Sequence, residues 1–163
     1  MQLKIESYKK AMGKFPTGVS IITLTVDNQH IAITINSLAS VSLLPTRILF
    51  CIHNDSSVLH LFSKGTKFVV NILSYTQKNI ALTFATPSKQ NWKNIEFTPS
   101  EKYGLPVFVE TLSYIECELY DICDGGDHKI IVSNALNTKI LSESNPLIYY
   151  EKKFITIGDN NND

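Results

Sequence analysis

The sequence predicts a mostly β protein, an antiparallel barrel with appended helices. Three observations point there. Seven to nine short runs rich in β-branched and aromatic residues succeed one another along 163 residues. Most are joined by turns too short for a parallel crossover. Only two or three helical patterns intervene, without the regular strand–helix alternation of a βαβ sheet. The length suits one domain with its own core, residues 1–157, followed by a polar tail, Gly158–Asp163, expected to be flexible.

In chain order, Ile5, Tyr8, Ala11 and Met12 recur at helical spacing and Gly13 offers a stop. Phe15-Pro16-Thr17-Gly18 turns the chain into a strand over 19–26. Asp27-Asn28-Gln29 reads as a hairpin turn, with His30–Ile35 as the returning strand. Asn36–Ser42 reads as a hydroxyl-rich loop, and Pro45 fits a turn or strand edge. The run 48–52 is almost wholly apolar, as in a strand covered on both faces. Asp55, Ser56 or Ser57 is placed to cap a helix through Val58, Leu59, Leu61 and Phe62 that stops near Gly65.

A strand over 67–73 follows, and then Ser74-Tyr75-Thr76-Gln77 matches a capping box. The helix it opens sets Ile80 and Phe84 one turn apart and ends before Pro87. Ser88–Gly104, with the single tryptophan Trp92, has weak periodicity and reads as a long surface loop. Strands are expected over 107–109 and 115–122; in the second, Ile115, Cys117 and Leu119 alternate with Glu116, Glu118 and Tyr120 as a buried and a wet face. Asp124-Gly125-Gly126-Asp127 is a turn, His128–Leu136 a strand, and 146–150 pairs with 154–157.

Composition narrows the function. Fifteen basic and fifteen acidic residues cancel, so no global field favours nucleic acid. No apolar run reaches the ~20 residues of a membrane span, and Met1–Lys10 lacks a signal peptide's apolar core. Cys51, Cys117 and Cys123 cannot all pair within one chain and include no C-x-x-C, so a reducing, cytoplasmic location without structural disulfides is expected.

The chemistry concentrates around residues 31–62. Thr34, Asn36, Ser37, Ser40 and Ser42, with Ser56 and Ser57, place many short neutral donors near one another in sequence. Singly they read as loop and capping residues. Together they suit a phosphate or a polar ring system, although Asp55 beside Ser56 opposes an anion. Gly125-Gly126-Asp127-His128 is a tight turn in which an acid could fix the tautomer of a neighbouring histidine. Cys51 and His53 share a strand face at i, i+2 with His60 nearby, but no second ligand pair completes a zinc site, so no metal is expected. The nucleophile elbow G-x-S-x-G and the phosphate loops G-x-x-x-x-G-K-[ST] and G-x-G-x-x-G are absent from the sequence.

Phe15-Pro16-Thr17-Gly18-Val19, then Thr34-Ile35-Asn36-Ser37-Leu38-Ala39-Ser40-Val41-Ser42-Leu43 with Pro45, then Gly126-Asp127-His128, and finally Pro146-Leu147-Ile148-Tyr149-Tyr150 occur in an order that resembles the flavin reductase-like family. The likeness runs from about Tyr8 to Phe154, nearly the whole chain. It implies a Greek-key split β-barrel of the FMN-binding type and an NAD(P)H:flavin oxidoreductase, in which hydride passes from reduced nicotinamide to FMN or FAD.

Carried onto this chain, the resemblance makes Thr34, Asn36, Ser37, Ser40, Ser42, Ser56 and Ser57 flavin contacts and His128 the catalytic-site residue. Trp92 and Lys93 lie where family members lay a loop near the flavin. The family's usual Ser-Leu-Asp-Pro-Pro is here Ser42-Leu43-Leu44-Pro45-Thr46. The resemblance also implies a homodimer and an oxygenase partner, as in two-component monooxygenases. The alternative in the same fold is an FMN-binding electron carrier or storage protein without nicotinamide turnover.

Overall fold

The computed structural model describes residues 4–157. The predicted tail Gly158–Asp163 lies outside the described residues.

Helix α1 (Ile5–Met12) is followed by the short strand β1 (Thr17–Gly18). Then come β2 (Ser20–Val26) and β3 (Gln29–Ile35), a tight hairpin. Asp27 and Asn28 take positive φ (49° and 63°) at its tip, a conformation that Asn and Asp tolerate better than most residues. Next are β4 (Ala39–Leu43), β5 (Thr46–His53) and β6 (Lys67–Ile72). After β6, the Ser74–Gln77 capping box forms as expected: Ser74 N–H donates to Gln77 Oε1 at 3.0 Å, ahead of α2 (Lys78–Thr83). The chain closes with β7 (Phe97–Pro99), β8 (Pro106–Phe108), β9 (Ser113–Asp124), β10 (His128–Ile140), β11 (Ile148–Tyr150) and β12 (Lys153–Ile155).

Seven strands form one antiparallel sheet in the order β3-β2-β6-β9-β10-β5-β4. One cluster holds Ile33 and Ile35 from one edge, Phe50 and Ile52 from near the other, and Phe68, Cys117, Leu119 and Ile131 between them. A sheet whose distant strands share one core has curled on itself, which is the antiparallel barrel expected. Phe50, Phe62 and Phe68 meet edge to face at its centre.

A second core lies on the other side of β2 and β3. There Ile21 and Ala32 pack with Ala81 and Phe84 of the α2 region and with Phe108 and Leu147. Thr34 fastens α2 to the sheet: its N–H donates to the Phe84 carbonyl and its hydroxyl to the Ala81 carbonyl at 2.7 Å.

Several expectations are corrected. Twelve strands are present among the described residues rather than seven to nine, because β1 and β7 are too short to leave a periodic signal and β4 falls in the stretch expected as a loop. Much of the hydroxyl-rich loop is strand β4, paired with β5. β5 alternates: Ile48, Phe50 and Ile52 are buried, whereas Leu49 and Cys51 are half-buried, so only one face meets the core. The helix expected at 58–62 is a single 3-10 turn, Leu59–Leu61, with no side-chain cap. Four apolar residues there serve the barrel core rather than a helix face.

The 88–104 segment is a folded excursion containing β7. Trp92 stacks on Phe108 and tilts against Phe84. Finally, Glu116 is fully buried instead of wet. Ser100 Oγ donates to its carboxylate at 2.6 Å, the amides of Lys102 and Tyr103 donate at 3.0 and 2.8 Å, and Asn137 Nδ2 donates at 2.8 Å. Among the described residues no helix is long and apolar enough to cross a membrane.

Candidate active site

A cleft of about 420 Å³ opens at the end of the barrel where β3, β5 and the start of β10 converge. Ile33, Ile35, Ile52, Ala85 and Pro87 supply its apolar surface. Thr34, Asn36, Ser37, Ser56, Cys51, His53, Asp55 and His128 supply its polar groups. The segments involved lie far apart in sequence, and strand pairing joins them: His128 sits opposite His53 in the β10–β5 ladder.

The turn before β10 sets the histidine. Gly126 takes φ +83°, a conformation that suits glycine, and Asn54 Nδ2 donates to its carbonyl at 2.8 Å. Asp127 Oδ1 lies 2.7 Å from His128 Nδ1. A carboxylate only accepts, so Nδ1 carries the hydrogen and Nε2 is left for the cleft. The hydrogen bond from His128, reinforced by its charge when protonated, holds the Asp127 carboxyl below its ordinary value. His53 stands edge to face with His128, ring centroids 4.9 Å apart. Its own Nδ1 accepts the Asp55 N–H at 3.1 Å, which puts the hydrogen of the neutral ring on Nε2.

Two hydroxyls in this region lack partners. Ser56, which lines the cleft, and Thr17 each bury a side-chain hydroxyl oxygen that has no hydrogen-bond partner. Thr17 lines an adjoining hollow of about 460 Å³ that shares Asn36 and Ser37 with the cleft. A buried hydroxyl without a partner costs free energy unless a ligand completes it. Ser37 Oγ already accepts the Cys51 N–H at 2.9 Å and keeps its own hydrogen available. Apolar walls, neutral amide and hydroxyl donors and orphaned hydroxyls fit a flat ring system with polar edges.

Of the residues singled out in the sequence, the fold brings Thr34, Asn36, Ser37, Ser56 and His128 together in this cleft. Thr34 contributes its position, since its hydroxyl is committed to α2. Ser40 lies exposed on β4, and Ser42 spends its hydroxyl on the Pro45 carbonyl within the next turn. Ser57 faces a neighbouring hollow rather than the cleft. Trp92 belongs to the second core, with Nε1 donating to Gln90 Oε1 at 3.4 Å, and Lys93 is exposed.

His53, Asp55, Ala85 and Pro87 are cleft residues that sequence reasoning did not assign to a flavin or nicotinamide site. The i, i+2 spacing of Cys51 and His53 on one strand is the signal that finds His53. Among the described residues no three side chains are grouped to hold a metal ion.

Comparison with known proteins decides the family. The model of the flavin reductase like domain matches residues 12–158. The chain belongs to that family. It is 35% identical over 135 residues to the reductase component of a flavin-dependent trigonelline monooxygenase from Acinetobacter baylyi, covering 82% of this chain and 43% of that one. It is 28% identical over 158 residues to the reductase subunit of a flavin-dependent monooxygenase from Mycobacterium tuberculosis, covering 96% and 84%. Thus the chain spans less than half of the first relative and most of the second.

Among solved structures, the flavin reductase component of a bacterial two-component tryptophan halogenase superposes with TM-score 0.84 at 28% identity, covering 96% of this chain and 99% of that one. A flavin reductase in its native state superposes with TM-score 0.85 at 31% identity, covering 96% and 100%. The mostly β antiparallel fold is therefore that of the flavin reductases.

Proposed function

We propose that this protein is an NAD(P)H-dependent flavin reductase that serves as the reductase component of a two-component flavin-dependent oxygenase system. The observation that carries the reading is the cleft itself, in which the orphaned Ser56 hydroxyl and the Asp127-oriented His128 share one hollow with Asn36 and Ser37. Relatives named as monooxygenase reductase components support the oxygenase partner.

Asn36, Ser37 and Ser56 hold the flavin through neutral hydrogen bonds, and Ile33, Ile35, Ile52 and Pro87 cover its rings and exclude water. Bound there, a flavin supplies a two-electron acceptor for the hydride of reduced nicotinamide. The protein's part is placement. His128, held at Nδ1, presents Nε2 to the cleft as a steering hydrogen-bond partner, and His53 buttresses its ring from the side. Holding two rings in a near-attack arrangement supplies much of a hydride-transfer rate, so no strong acid–base dyad is required.

The homodimer expected from the resemblance is also part of this reading. Helix α1 buries no residue, and Tyr8, Met12 and Phe15 stand exposed on it and just beyond it. Leu43 and Leu44 are exposed at the β4–β5 turn, on the open edge of the sheet. These apolar surfaces suit a second copy.

The test is oxidation of NADH and NADPH by the purified protein with FMN or FAD. Turnover with at least one pair is expected. A folded protein that oxidises neither nucleotide with either flavin overturns the reading. Light scattering in solution checks the dimer.

A further inference from the structure

β3 is an edge strand of the seven-stranded sheet, so every second residue turns its N–H and C=O away from β2. Ala32 and Thr34 are two such residues, and one stretch of chain takes both. The Phe84 carbonyl accepts the Thr34 N–H at 3.0 Å, and Gln90 Oε1 accepts the Ala32 N–H at 2.9 Å. Gln90 Nε2 completes the second attachment by donating to the carbonyls of Ala32 and Pro87, at 2.9 and 2.8 Å. Residues 85–89 therefore hang as an arch between two points on one strand edge.

The two attachments differ in kind. At the first, Phe84 and Ala81 are buried in the second core, and Thr34 Oγ1 adds its bond to the Ala81 carbonyl. At the second, the contact is a side-chain amide, which rotation about its own bonds withdraws without unfolding the backbone. Between them Ala85, Thr86, Ser88 and Lys89 are exposed and Pro87 is half-buried. A turn from the Lys89 N–H to the Thr86 carbonyl, at 2.9 Å, lies within the arch and travels with it. Past Gln90, Trp92 returns the chain to the second core, stacked on Phe108, and its Nε1 reaches Gln90 Oε1 at 3.4 Å. A segment with so few buried contacts, fixed at one end and caught at the other by one side chain, opens locally.

The arch covers the candidate site. Ala85 and Pro87 line the cleft, and Pro87 also lines an adjoining hollow of about 480 Å³, the one residue the two linings share. Lifting Pro87 joins the two spaces and widens the mouth of the cleft.

We infer that residues 85–89 form a strap that opens for flavin to enter and leave the cleft, and that Gln90 is the catch that holds it shut. The inference rests on the flavin reductase reading. A reductase that hands reduced flavin to a separate oxygenase must pass a bulky ring system in and out, yet cover it during hydride transfer. Gln90 lies outside the cleft lining and acts on it through Pro87, so it is a positioning residue.

Two measurements test this. Amide hydrogen exchange followed by NMR reads the catch in the flavin-free wild type. Ala32 should exchange by local opening about 100-fold faster than Thr34 on the same edge, and saturating FMN should slow it. Stopped-flow fluorescence reads the gate as the rate of FMN release. Gln90→Ala removes the catch, and Gln90→Glu keeps its length while setting a carboxylate against two carbonyls. Each should raise the release rate about tenfold and change the melting point little.

An Ala32 amide that exchanges only with global unfolding overturns the inference. So does a release rate that neither variant changes; a lower melting point beside it makes Gln90 an edge cap alone. If neither variant folds, exchange in the wild type with and without FMN decides. If FMN does not bind the wild type, the flavin reading falls instead, and Ala32 exchange still decides whether the strap opens.

Discussion

Glu116 on β9 and His128 on the adjoining β10 each gather polar groups, but the two gatherings are in opposite states. Around Glu116 every strong group has a partner: a hydroxyl, two amides and an asparagine converge on one buried carboxylate. Around His128 the set is incomplete, with a buried serine hydroxyl unpartnered and two imidazole edges turned to a cleft. A closed network holds a structure together, because every group removed from water is repaid within the chain. An open one persists because something else completes it. The first therefore marks scaffold, here the pin that ties the 100–104 turn to the sheet, and the second marks the candidate site.

Breaking the closed network should have the largest effect. Glu116→Ala leaves several buried donors without an acceptor and opens a cavity, so a loss of about 4 kcal/mol is expected. Thermal unfolding should show it as a melting point lower by roughly 8–16 °C, while the protein that remains folded keeps its activity.

The same carboxylate gives a pH signature. Burial pushes its pKa up, and the hydrogen bonds from Ser100, Asn137 and the amides of Tyr103 and Lys102 outweigh burial, leaving it below the ordinary 4.5. A group lowered on folding stabilises fully above its unfolded value and loses that contribution as pH falls through the folded value. Acid titration of stability should therefore fall more steeply for the wild type than for Glu116→Ala below about pH 4.5.

At the open cluster the effects move from stability to function. His128→Ala should lower kcat/KM about 100-fold through lost placement, with flavin affinity changed far less. Equal losses in both would assign the ring to flavin binding alone. Ser56→Ala should weaken flavin binding about fivefold and leave the melting point of the flavin-free protein unchanged or slightly higher, since it deletes a buried hydroxyl that has no partner. A lower melting point without flavin would place Ser56 in the scaffold and erase the contrast with Glu116.

The smallest test uses the thiols. Cys123 is exposed, Cys51 is half-buried in the cleft wall, and Cys117 is buried, where burial pushes its thiol pKa up. A thiol reagent should label Cys123 first and Cys117 last. Added flavin should slow labelling of Cys51 alone.

The fold was legible where local chemistry dominates. The Asp27-Asn28 hairpin tip, the Ser74–Gln77 capping box, the Gly126 turn and the β-branched runs each follow from short-range backbone preferences. The candidate site was legible in half. Asn36, Ser37 and His128 stand in motifs, so sequence order exposes them, whereas Ala85 and Pro87 reach the cleft only because α2 packs on β3.

The sequence by itself determined an antiparallel β fold with two or three helical stretches, a hydroxyl-rich stretch and an acid-flanked histidine, because periodicity and turn chemistry act over a few residues. Tertiary structure alone decided that Glu116 lies inside, that Ser40 and Ser42 lie away from the cleft, and that His53 meets His128. Those outcomes depend on strand register and on which face curls inward, and both are set by contacts between residues far apart in the chain.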